Sequence, residues 1–62
     1  MLHTVEVLHE GRWLPATLLS SRREADGWSG LVAYSDPLTR QGYYHWCAGR
    51  DVRRPVELDE NH

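Results

Sequence analysis

Two runs with apolar side chains at every second position, Trp13 to about Arg22 and Trp28–Tyr34, are separated by a polar stretch ending in Asp26-Gly27. Asp-Gly between alternating runs is a strong hairpin signal, because a tight two-residue turn needs residues that tolerate positive φ. The centre of the chain is thereby committed to an antiparallel pair. Leu14, Ala16, Leu18 and Ser20 share one face of the first run, and Trp13, Thr17 and Leu19 the other. In the second run Trp28, Gly30, Val32 and Tyr34 share a face, with Gly30 marking a bulge or a sharp bend. A helix competes over Leu14–Ala25, since Ala, Leu, Arg and Glu favour helices. Pro15, Thr17 and two serines oppose it, and Pro15 belongs at a sheet edge or strand entrance.

Further runs have the same character. Thr4–Leu8 alternates and precedes a turn at His9–Arg12 centred on Gly11. Ser35–Gly42 reads as a loop bracketed by Asp36-Pro37 and Gly42, and Tyr43–Cys47 as an aromatic strand. Ala48–Asp51 is a tight connection with one turn of 3-10 helix, and Val52–Arg54 closes the sheet before Pro55. Five strands, near 4–8, 13–22, 28–34, 43–47 and 52–54, predict an all-β small barrel. The expected core is Val5, Val7, Ala16, Leu18, Leu31 or Val32, Ala33, Trp46 and Val52.

Sixty-two residues allow one such domain, here residues 1–55, and no second lobe to close over a substrate. The single cysteine, Cys47, excludes an intrachain disulfide and suits a reducing compartment. No apolar run approaches the roughly 20 residues of a membrane span, and the first residues lack the pattern of a signal peptide. A cytoplasmic protein without membrane association is expected. The formal net charge is −2. Residues 1–55 carry all seven Arg against six acids, and residues 56–62 carry Glu57, Asp59 and Glu60. The body is near neutral, and the acidic tail is expected to be disordered.

The blocks Val5-Glu6-Val7, Gly11–Leu18 with its Trp13-Leu14-Pro15-Ala16-Thr17 core, Gly30–Asp36, Trp46 and Val52–Pro55 resemble Tudor and Agenet-type domains. The likeness covers about residues 4–55. It implies a strongly bent, five-stranded SH3-like barrel with a short 3-10 turn before the last strand. Members of that family often hold methylated Lys or Arg in an aromatic cage, because a cation is attracted to ring faces. The cage positions fall near Leu8, Leu14, Tyr34 and Pro37, of which only Tyr34 is aromatic. The usual cage is missing, so methyl-lysine recognition is not implied.

The functional expectation is a non-catalytic module that binds a protein or peptide partner. Six aromatic residues, all Trp or Tyr, are many for this length, and such rings favour half-buried sites and interfaces. Trp13, Trp28, Tyr34, Tyr43 and Tyr44, flanked by Arg12 and Arg40, are the expected docking surface. A nucleic-acid alternative uses Arg22, Arg23, Arg50, Arg53 and Arg54, but a dedicated binder normally has a clear basic excess. A homodimer is the third alternative. No metal or cofactor is expected, since His3, His9, His45 and His62 lack ligand spacing and no phosphate-binding glycine loop is present. Cys47 and His45 point to one face of a strand, and a small buried thiol beside an imidazole explains them better than a nucleophile.

Overall fold

The computed structural model describes residues 2–55. The expected acidic tail lies outside them. The strands are β1 (His3–His9), β2 (Arg12–Glu24), β3 (Gly27–Ser35), β4 (Gly42–Ala48) and β5 (Val52–Arg53), with a 3-10 turn at Gly49–Asp51. All ladders are antiparallel, in the order β4-β3-β2-β1-β5. The strand expectations hold to within two residues at each end, and no helix runs through Leu14–Ala25. The sheet is not closed: no ladder joins β4 to β5 among the described residues.

It is nonetheless strongly curled. A flat five-stranded sheet would hold its edge strands about 19 Å apart, four spacings of roughly 4.8 Å. Only the Gly49–Asp51 turn lies between the end of β4 and the start of β5. Three residues of 3-10 turn rise about 2 Å each and fall well short of that gap. The two edges therefore approach each other at this corner.

The first turn is tight. His9 pairs with Arg12, so only Glu10 and Gly11 lie between them, with φ of 52° and 80°. Two positive φ values match the twist of the flanking strands. The second turn differs by one residue from expectation: Glu24 pairs with Gly27, leaving Ala25-Asp26 as the turn. Gly27, at φ 141°, opens β3 in a conformation that side chains rarely adopt. Pro15 lies in a central strand, yet β3 begins pairing with β2 only at Ala16. At Pro15 the strand has a neighbour on one side only, which limits the cost of the missing donor. The bulge falls in β2 between Leu18 and Ser20, not at Gly30 in β3.

The concave face carries the core: Val5, Val7, Leu14, Ala16, Val32, Tyr34 and Val52, with Leu18, Tyr43 and Cys47 packed against it. Two expected core members are corrected. Ala33 is only half-buried, and Trp46 is 39% exposed. Strand parity is the reason. Val32 and Tyr34 face inward, so Leu31 and Ala33 face outward with their ladder partners Trp46 and Tyr44. Leu14 and Tyr34 join the core instead.

Candidate functional site

The structure divides the seven expected docking residues. Arg12, Tyr34 and Tyr43 converge at one end of the concave face. Tyr34 is buried, and Tyr43 is half-buried and stacked on it with ring centroids 5.1 Å apart. Trp13 is half-buried, with the Arg53 guanidinium 4.0 Å from its ring centroid. Tyr44 is exposed in β4, Arg40 is exposed in the β3–β4 loop, and Trp28 is exposed at the start of β3. No single surface gathers all seven.

The converging group is organised by residues left out of the expected docking surface: His9, Asp36 and His45. Asp36 is 1% exposed. Its Oδ1 accepts the Leu38 amide at 2.9 Å, and its Oδ2 accepts Arg12 Nη2 at 2.9 Å. The Leu38 amide first, then the Arg12 guanidinium, hold the Asp36 carboxyl below its ordinary value, against the opposing effect of burial. The Tyr34 hydroxyl lies 3.1 Å from His9 Nδ1 and 3.0 Å from His45 Nε2. One hydroxyl proton can be donated to only one ring, so the other imidazole must donate to the Tyr34 oxygen. His9 Nε2, 3.5 Å from Asp36 Oδ2, is buried with no hydrogen-bond partner. Parity offered the clue, since His9 follows Val5 and Val7 at spacing two.

The network is centred on buried Tyr34 and Asp36 and reaches solvent at His45. Burial first, then the neighbouring Cys47 and Tyr43, push the Tyr34 phenol up. Burial, then the charge of Asp51, likewise raises the Cys47 thiol, the opposite of nucleophile activation. Cys47 Sγ lies 3.8 Å from His45 Nε2, as their shared strand face requires. Together these side chains fix one end of the curl and the β3–β4 loop.

A second region is open. A cleft of about 790 Å³ lies between the start of β1, the start of β3 and the segment after the 3-10 turn. Val5, Leu18 and Val52 give it an apolar floor, and the Trp28 ring forms a wall. Gly49 sets the ring's position: a Cβ there would collide with the indole at Nε1, so only glycine lets the ring lie against the 3-10 turn. His3, Arg54 and Pro55 complete the rim. Arg53 also lines the cleft, but its guanidinium is bridged to Glu6 at 2.8 Å and lies over Trp13. Arg54 has no ion-pair partner among the described residues. Of the expected docking residues only Trp28 belongs here. The rest was hard to foresee, since β5 reaches β1 only through the crossover.

The arginines of the nucleic-acid alternative are scattered. Arg22 is bridged to Glu24 at 2.6 Å and lies over Trp46 in the sheet. Arg23 is exposed in β2 and Arg50 in the 3-10 turn, while Arg53 is engaged as above. No helix of the described residues is long and apolar enough to cross a membrane. No protein-family model, curated protein or solved structure matches this chain.

Proposed function

We propose that this chain is a non-catalytic binding module on an SH3-like barrel of Tudor or Agenet type, and that it takes an extended peptide segment of a protein partner in the Trp28 cleft. The barrel reading is supported by the strand order, the long bulged β2 and the 3-10 turn that carries the chain between opposite edges. The cleft carries the functional reading. Its volume falls within the range of about 300–1,000 Å³ common to ligand sites. An apolar floor, one exposed indole and one guanidinium without an ion-pair partner among the described residues suit an apolar side chain followed by a carboxylate.

The test is a titration of the isotopically labelled full chain with extended peptides that alternate Leu and Glu, followed by amide and indole resonances. Binding should shift Trp28, Val5 and Val52. Arg54→Glu should weaken it at least about tenfold, the loss expected for a charge-assisted contact turned repulsive. Gly49→Ala, which displaces the ring, should weaken it similarly. Shifts confined to the convex face, or binding indifferent to both substitutions, would rule the cleft out.

A further inference from the structure

The two edges of the sheet are unlike. The β5 edge is two residues long and continues into Arg54-Pro55, so charge and proline blunt it. The β4 edge is seven residues long, Gly42-Tyr43-Tyr44-His45-Trp46-Cys47-Ala48, with no Asp, Glu, Lys, Arg or Pro and an unbroken register against β3. Its other side has no partner strand among the described residues. A long edge without charge, proline or bulge presents a row of backbone donors and acceptors to any extended strand.

We propose that β4 pairs antiparallel with β4 of a second copy, about a two-fold axis at His45. The sequence of the strand argues for a copy rather than a foreign strand. Centred on His45, the pairing sets Tyr44 opposite Trp46 twice, so exposed aromatic rings meet on the convex face. Gly42 then faces Ala48, small against small, and Tyr43 faces Cys47. These contacts are each made twice, as an isologous interface requires, His45 meets its own copy once on the axis, and no Asp, Glu, Lys or Arg is opposed. The Trp28 cleft is lined from β1, β2, β3, β5 and the segment after β5, and by no residue of β4.

Such an interface is small. One strand pair and four rings fall at or below the roughly 1,200 Å² that marks the lower end of stable interfaces. The dimer should therefore be weak, and sedimentation of the full chain from about 5 to about 500 µM should show a reversible monomer–dimer equilibrium. Tyr44→Lys, at a position 69% exposed and outside the core, should shift it to monomer without changing the circular dichroism. Directly opposed residues of an antiparallel ladder have Cα atoms about 4.5–5.5 Å apart, within disulfide reach. His45→Cys with Cys47→Ser should thus oxidise to a covalent dimer faster than Ser21→Cys with Cys47→Ser. A wild-type chain monomeric throughout, a dimer that survives Tyr44→Lys, or cross-linking no faster than the Ser21 control overturns the proposal.

Discussion

Asp36 shows how a single side chain can organise one end of this sheet. Its carboxylate accepts the Leu38 amide and the Arg12 guanidinium, while its backbone closes the loop through Arg40 N and Gln41 O. Its folded pKa lies below the ordinary carboxylate value of about 3.9. A lowered pKa contributes stability above the unfolded value, and that contribution is lost as pH falls through the folded value. Asp36→Asn should therefore lower the melting temperature at pH 7, and its deficit against wild type should shrink below about pH 4. Melts across that range check the sign; a deficit independent of pH would show that the charge contributes nothing. Tyr34 is the second such residue, because its hydroxyl serves two imidazoles. Tyr34→Phe should cost about 1 kcal/mol in urea unfolding, chiefly by removing the partner of half-buried His9 Nδ1. The sequence reading placed Tyr34 on a binding surface because the chain alone shows where a ring sits along a strand, not what its hydroxyl reaches. His9 and His45 meet it from β1 and β4, 25 and 11 residues away.

Among the elements, strands were the most legible feature and faces the less legible one. Period-two alternation located β1 to β4 because half-buried strands must repeat at two. In β2 the face assignment held as far as Leu18 and failed at Ser20, where the bulge adds a residue and inverts parity, while Gly30, Val32 and Tyr34 of β3 share the expected face. Trp46 was misplaced for another reason: a large ring in a short strand reads as core until the ladder shows it opposite outward-facing Leu31. Turn chemistry was read almost correctly at Asp26-Gly27, with the turn one residue earlier. The first turn holds a cost that was not visible beforehand, since Glu10 adopts φ 52°. A left-handed non-glycine residue costs on the order of 1 kcal/mol, and Asn tolerates that region better. Glu10→Asn should stabilise the domain by roughly 0.5 kcal/mol without altering the ladder. Chemical denaturation should show a higher midpoint with an unchanged slope; a lower midpoint would mean that the Glu10 carboxylate near His9 matters more than its backbone.

At the scale of the whole molecule, one small concave core must hold five strands together. Val7 and Val32 are fully buried, and they sit on β1 and β3, either side of central β2. The crossover that sends β5 back to β1 adds Val52 to the same cluster, so the chain's last strand and its middle share one core. Such a topology leaves no element able to melt alone at little cost, and the domain should unfold as a unit. Val32→Ala should remove roughly 2 kcal/mol, since deleting buried methyl groups forfeits both transfer energy and packing. A domain of this size has a thin margin, so that loss should populate unfolded chains visibly at moderate temperature. Trp46→Ala, on the convex face, removes far more atoms yet should cost less, because the residue is 39% exposed and Arg22 lies over its ring on that outer face. The comparison is sharp because volume and burial point in opposite directions. Melting followed by circular dichroism and by tryptophan fluorescence should give coincident transitions, with Val32→Ala well below Trp46→Ala. If the order were reversed, the core would lie on the convex face, and the curl that shapes the Trp28 cleft would be turned inside out.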